Sequence, residues 1–358
     1  MKYMSYTCGR CNKAFTKKSL YESHQARIRP CIAIPTPVAS VALVPVALVP
    51  VATILATPII KPVLKWVGGK TQILEELLRR FPSMIQNYHE PFLGGGSVLL
   101  GLLSYRQAGR ITISGTIYAS DLNSNLIGLY QTLQHSPEVL IAEVRHLIEE
   151  FSNCRNTEID RSPRTLDQAQ TSRESYYFWI RSRFNALTMQ ERATPRGSAM
   201  LLFLNKTCFR GVYREGPRGF NVPYGNYTNN GIMDEEHLRS VSRLIQGVIF
   251  RVQPFMDSLS PVTPGDFVYL DPPYAPENHT SFVSYTSDGF RLEQHQSLFT
   301  RCQALRCSWI MSNADVPLVR DAFPAPYSTA VLSCRRAIHS KQPDSKTNEV
   351  LIMNANER

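Results

Sequence analysis

Residues Asp266–Tyr274 read Asp-Phe-Val-Tyr-Leu-Asp-Pro-Pro-Tyr, and no other run in the chain restricts the fold as strongly. A short apolar strand here delivers an acid, two prolines and an aromatic ring to the end of a sheet. In open α/β folds the carboxyl edge of the strands is where ligands collect. The prolines hold the turn rigid and leave carbonyls outward without a competing donor. Asp271, Pro272, Pro273 and Tyr274 are therefore candidate catalytic residues.

From about residue 63 onward, short β-branched runs alternate with amphipathic segments, the pattern of an α/β fold with a mainly parallel sheet. Strands are expected at Tyr88–Pro91, Thr116–Ser120, Val248–Arg251, Asp266–Leu270, Trp309–Ser312 and Glu349–Met353. Helical patterns lie at Gln72–Arg80, Ser97–Tyr105, Leu122–Leu133 and Leu292–Leu305. Residues 150–247 break the rhythm, being polar and arginine-rich, and read as an inserted lobe. The expected division is 63–149 with 248–358 as one catalytic domain and 150–247 as a second lobe.

Two further motifs join the first. Glu90-Pro91-Phe92-Leu93-Gly94-Gly95-Gly96-Ser97 places glycines after a short strand and before a helix, where they allow close backbone approach to a cofactor. Asp121 ends the next strand, 25 residues beyond Gly96, about where a ribose-binding acid is expected. Lys65-Trp66-Val67-Gly68-Gly69-Lys70 precedes the first amphipathic segment and, standing alone, would be an ordinary turn. Asn313 follows a strand and either shapes a ligand pocket or caps the strand end.

These motifs, in this order, resemble the Dam-type, D12-class adenine-N6 DNA methyltransferases of the alpha group. The resemblance extends from about residue 63 to 354. It includes Phe203-Leu204-Asn205-Lys206, Phe220-Asn221-Val222-Pro223-Tyr224-Gly225 and Glu349-Val350-Leu351. It implies a Rossmann-like catalytic domain that uses S-adenosylmethionine, a mainly helical target-recognition lobe and double-stranded DNA as partner. Cofactor contacts are implied at Trp66, Lys70, Phe92, Gly94, Gly96, Asp121 and Asp271. DNA contacts are implied at Asn205, Arg210, Val212, Arg214, Pro223 and Tyr227, with Arg214 matching an arginine that reads guanine through its bidentate fork. Arg210 stands where GATC-methylating members usually carry asparagine, and Val212 where leucine is common. The expected target is GATC or another short palindrome.

The chemistry suits these residues. An exocyclic amino nitrogen is a poor nucleophile because its lone pair is delocalised, so acceptors must hold its hydrogens while it attacks. Asp271 and the Pro272 carbonyl can do this while Tyr274 stacks on a base turned out of the duplex. The same clamp would serve cytosine N4, RNA or a protein amide. A non-catalytic DNA-binding protein is the alternative of another class.

The N-terminus carries a separate module. Its spacing is Cys8-x2-Cys11-x12-His24-x6-Cys31, and Tyr6, Phe15 and Tyr21 supply a small core. Zinc takes four such ligands at tetrahedral geometry. The stretch resembles the C2H2 zinc-finger family, with Cys31 in place of the second histidine, and implies a ββα finger over 1–31. Lys17, Leu20 and Ser23 would face bases. Leucine offers no hydrogen bond to a base edge, so the finger is expected to tether DNA without reading sequence or to dock a protein. Residues 1–31 hold seven Lys/Arg against Glu22 alone, a large share of the net charge of +10. Basic surfaces of this kind favour a polyanionic partner.

Residues 32–62 repeat Val-Ala-Leu-Val-Pro at 41–45 and 46–50 and contain almost no charge. Val38 to Ile60 has membrane-spanning length. Pro45, Pro50 and Pro58 break helical continuity, and the segment is read as a semi-stiff linker with no membrane role. The basic, cysteine-bearing start is not a secretory signal. The scattered remaining cysteines imply a reducing, intracellular compartment: cytoplasm or nucleoid, or a host cell for a viral protein.

Overall fold

A computed structural model describes residues 6–8, 10–11, 13–26, 58–227, 231–276, 290–335 and 346–354. The chain divides into two units, Met1–Ile54 and Leu55–Arg358.

In the larger unit, seven strands form one sheet: β1 (Tyr88–Glu90), β2 (Ile117–Asp121), β3 (Val248–Val252), β4 (Phe267–Leu270), β5 (Ser308–Ala314), β6 (Ser328–Arg335) and β7 (Lys346–Met353). Their spatial order is β3-β2-β1-β4-β5-β7-β6. The first five run parallel, while β7 is antiparallel to both of its neighbours. Order reverses between β1 and β4, so the chain leaves those two strands in opposite directions and opens a crevice at their carboxyl ends.

All four residues of β4 are buried, as a central strand covered on both faces requires. Phe267 and Tyr269 pack into the larger core, and Val268 and Leu270 into a smaller one with Trp309, Met311, Val350 and Ile352. The period-2 alternation of a strand thus divides one apolar run between two layers.

Helices α1 (Ser97–Gln107), α2 (Ser124–His135), α3 (Pro137–Ser152), α4 (Arg173–Ala186), α5 (Pro195–Thr207) and α6 (Glu235–Leu244) lie between β1 and β3, and α7 (Leu292–Ala304) between β4 and β5. The Asn123 side chain accepts the backbone N–H groups of Asn125 and Leu126 and so starts α2. Thr194 caps α5 in the same way, with Pro195 in its first turn. Residues 150–247 are mainly helical, and their buried residues Tyr176, Phe184 and Phe203 belong to the same core as the sheet.

One expectation needs correction. Residues 58–62 do not belong with the linker: Ile59 and Ile60 pack against the core, and the Ile60 N–H donates to Ser104 Oγ at 3.2 Å. The sheet also has the edge strand β6, which lacks a clear apolar signal because Val331 is exposed and Leu332 half-buried. The linker residues 32–57 lie outside the described residues. Among the described residues, no helix is long and apolar enough to cross a membrane.

The smaller unit pairs Tyr6–Thr7 with Ala14–Phe15 antiparallel, followed by a helix over Lys18–Gln25. This is the expected ββα order.

Candidate active site and metal centre

The glycine turn after β1 and the Asp-Pro-Pro-Tyr turn after β4 emerge side by side at the reversal of strand order, because Tyr88 pairs with Phe267 and His89 with Val268. Gly94 and Gly96 adopt φ of +49° and +72°, a region costly for a side chain. A Cβ on Gly96 would strike the Tyr130 hydroxyl, which donates to the Gly95 carbonyl at 2.7 Å. The turn is held from the other side by Asp121, whose two oxygens accept the Gly94 N–H and the Asn123 N–H, both at 2.9 Å. Burial raises the Asp121 pKa, and those backbone donors oppose it. Beside it, Leu122 is 55% exposed, an apolar surface that a flat ring would cover.

Trp66 lies against Gly94 and Gly95 and stacks on Tyr213 with centroids 5.1 Å apart. Phe92 stacks on Phe255 at 5.5 Å and meets the edge of Phe290 at 6.0 Å, forming an aromatic floor. Lys70 is 2% exposed, and a buried ammonium needs partners. Its Nζ lies 2.8 Å from Asp271 Oδ2, donates to the Gly68 carbonyl at 2.6 Å and sits 5.0 Å from the Tyr274 ring centroid. Two sequence motifs thereby converge on one ammonium, and the third joins them through the Lys70 backbone N–H, which donates to Ser97 Oγ at 3.1 Å.

Burial pushes the Asp271 carboxyl up to about 6, against the opposing pull of Lys70. Glu90, fully buried below, is pushed up to about 8 by burial, even though the Tyr88 hydroxyl donates to it at 2.7 Å. At neutral pH the site thus holds Asp271 ionised and Glu90 protonated. The Asn313 Oδ1 accepts the Ala275 N–H at 3.0 Å and ties the Asp-Pro-Pro-Tyr turn to β5, which makes this residue more than a strand cap.

The predicted DNA-contacting residues divide into two groups. Arg210 and Arg214 are exposed on the loop following α5. Arg210 has φ of +59°, and its N–H donates to the Tyr227 hydroxyl at 2.6 Å; the Tyr227 ring in turn lies 5.3 Å from Lys65 Nζ. Arg214 Nε donates to Asn221 Oδ1 at 2.7 Å. Pro223 is exposed and Val212 half-buried beneath the loop.

Asn205 belongs elsewhere. It is 1% exposed; its Oδ1 accepts the Lys65 N–H at 2.9 Å, and its Nδ2 donates to the Lys65 and Gly211 carbonyls. Its side chain is consumed in fastening the Trp66 segment to α5, which corrects the expectation of a DNA contact there. The sequence reading also missed Tyr213 and Leu122. The aromatic-arginine pair Tyr213-Arg214 was the available signal for the first, and the apolar residue directly after an acidic strand end for the second.

In the N-terminal unit, the ligand atoms of Cys8, Cys11 and His24 lie within 4.8 Å of one another, with Cys11 Sγ 3.4 Å from His24 Nε2. Cys8 and His24 are buried, and Phe15 packs on His24 at 5.0 Å between centroids. Cys31 lies outside the described residues. Lys17, Leu20 and Ser23 are exposed.

A mostly parallel sheet with this strand order, a glycine turn and an acceptor-proline-aromatic turn at its switch point define an α/β methyltransferase built for a nucleotide-like cofactor. Residues 66–338 match the family model described as D12 class N6 adenine-specific DNA methyltransferase, and the chain belongs to that family. It is 37% identical over 238 residues to a type II methyltransferase, M.MjaIII, of Methanocaldococcus jannaschii, covering 64% of this chain and 75% of that protein. It is 28% identical over 303 residues to the type II methyltransferase M1.LlaDCHI of Lactococcus lactis subsp. cremoris, covering 82% and 95%. It is also 28% identical over 294 residues to a DNA adenine methylase of Escherichia coli K12, covering 81% and 93%.

Proposed function

We propose that this adenine-N6 DNA methyltransferase acts at a short duplex sequence, with the Asp271–Tyr274 turn gripping an adenine extruded from the helix. The observation that carries the reading is the meeting of Lys70, Asp271 and Tyr274 beside the glycine turn. Ionised Asp271 and the Pro272 carbonyl accept the two N6 hydrogens, which turns the nitrogen lone pair out of the ring plane. Pro273 stiffens the turn, and Tyr274 stacks on the base. Lys70 holds Asp271 in place and keeps it charged.

The glycine turn, Trp66, Phe92, Leu122 and Asp121 fit S-adenosylmethionine: an open backbone, apolar walls and an acid at the strand end for the ribose. When bound, that cofactor supplies the activated methyl group on its sulfonium. Alignment of N6 with that methyl is the main contribution of these residues. Arg210 and Arg214 provide exposed guanidinium groups for base edges, with Tyr227, Val212 and Pro223 shaping the loop that carries them.

The donor set of Cys8, Cys11 and His24, completed by Cys31, fits one tetrahedral zinc ion. Thiolates serving a metal suit a reducing, intracellular compartment. The exposed Lys17 and the basic character of residues 1–31 favour a DNA tether over a protein dock.

The test is incorporation of labelled methyl from S-adenosylmethionine into unmethylated plasmid DNA, followed by nucleoside analysis. Label in N6-methyladenine is expected. Label confined to cytosine, or its absence, rejects the reading. Sequencing of the methylated positions identifies the recognition site.

A further inference from the structure

Three buried polar atoms around the Asp-Pro-Pro-Tyr turn make no hydrogen bond of ordinary geometry among the described residues: the Tyr274 hydroxyl, Asn313 Nδ2 and Glu349 Oε2. Buried polar groups are nearly always satisfied, so a cluster of three signals an unfinished site. Their placement follows from topology. Because β7 runs antiparallel, its early residues lie at the carboxyl edge of the parallel strands, and Glu349 pairs with Ala314 while Val350 pairs with Asn313. Asn313 cannot turn over its amide, since its Oδ1 already accepts the Ala275 and Ala314 N–H groups at 3.0 and 2.8 Å. Its Nδ2 remains a donor.

We propose that Glu349 is a positioning residue for the target base: its carboxylate accepts the Tyr274 hydroxyl and, with Asn313, fixes the tilt of the ring on which adenine stacks. This rests on the adenine-clamp reading above. A phenol oxygen lies on the rotation axis of its ring, so a bond there sets the tilt but not the spin. Lys70, 5.0 Å from the ring centroid, covers one face and sets the spin, leaving the other face for the base. Burial raises both Tyr274 and Asp271, and Glu349 adds to each: by its charge on Asp271, and by its charge and a side-chain hydrogen bond on Tyr274, as a carboxylate close to both must. The group touches neither reacting atom; it acts through Tyr274.

The test compares Glu349→Ala, Glu349→Gln, Tyr274→Phe and the double Tyr274→Phe/Glu349→Ala in single-turnover methylation of unmethylated plasmid DNA. Glu349→Ala is expected to lower kcat about 10- to 100-fold, with KM for S-adenosylmethionine unchanged, as loss of an interaction made at the transition state does. Tyr274→Phe should fall by a similar factor, and the double variant no further than the worse single. Glu349→Gln, whose amide oxygen still accepts the hydroxyl, should recover most of the loss. Multiplying losses in the double variant, or a raised KM at full kcat, overturns the proposal. Should Glu349→Ala not fold, Glu349→Gln decides alone: a loss beyond tenfold overturns the acceptor role. A wild-type protein that makes no N6-methyladenine would instead defeat the clamp reading itself.

Discussion

The floor of the catalytic crevice and the loop over Phe209–Tyr227 solve opposite problems. On the floor, Lys70 and Asp271 hold one another, Asp121 accepts backbone N–H groups and Glu90 accepts the Tyr88 hydroxyl, so these side chains are fixed in place before any ligand arrives. In the loop, Arg210, Arg214 and Arg218 are exposed, and the backbone that carries Arg210 is in the left-handed region. On the function proposed above, the floor is preorganised for one reaction, whereas the loop displays charge to be spent on a particular sequence. That function would keep chemistry and specificity physically separate, and the variants below are chosen to break or sharpen that separation.

The largest effect is expected on the floor. Asp271→Ala should lower kcat by about a thousandfold, the scale seen when one preorganised polar group is lost from an active site. DNA affinity, measured by gel shift, should stay within a few-fold. If binding falls as far as turnover, floor and loop are not separable.

Next come the effects of pH. Asp271 must be ionised to accept N6 hydrogens, and its carboxyl is pushed up to about 6, so kcat should climb as pH rises through 6 and then level off. Glu90 works against stability in the alkaline direction. The folded carboxyl keeps its proton to about pH 8, whereas the unfolded one releases it near 4.5. The native state therefore binds the extra proton between those values, and stability falls as pH rises across that window. From pH 6.5 to 8 the loss should be about 2 kcal/mol, and Glu90→Gln should abolish it in urea titrations at the two pH values. A wild-type stability that is flat over this range would place the Glu90 proton elsewhere.

In the loop, Arg214→Ala should weaken discrimination at one base pair by about 1–3 kcal/mol while leaving the maximal rate on saturating DNA nearly intact. Methylation sequencing would show a relaxed motif. A uniform loss across all sites would make Arg214 a phosphate contact. The smallest effect belongs to the finger. Chelation of zinc, or Cys8→Ser, should weaken DNA binding about several-fold in low salt and leave methyl transfer at saturating DNA unchanged. Equal loss of both would join the two units functionally.

The same separation governs what the sequence disclosed. Residues Phe267–Tyr274 announce their structure because an apolar strand, an acid and two prolines each restrict the backbone independently, and all restrictions agree. The Cys8, Cys11 and His24 cluster was equally visible, since metal spacing is local. Asn205 shows the opposite case. An asparagine beside a lysine near a recognition loop looks like a DNA contact, and only the fold reveals that its amide closes a long-range bridge to the Lys65 backbone. Ile59 and Ile60 were hidden by the composition of their neighbours, and the Glu349 carboxylate by a strand whose direction sequence periodicity does not encode.

The stack of Trp66 on Tyr213 joins the glycine turn to the residue preceding Arg214. On the proposed function, a lineage that altered its recognised motif by reshaping this loop would also shift the wall proposed to seat the methyl donor. Drift in target choice and drift in donor affinity would then be linked, and new specificities would be reached most cheaply through substitutions at the loop tip, away from that ring pair.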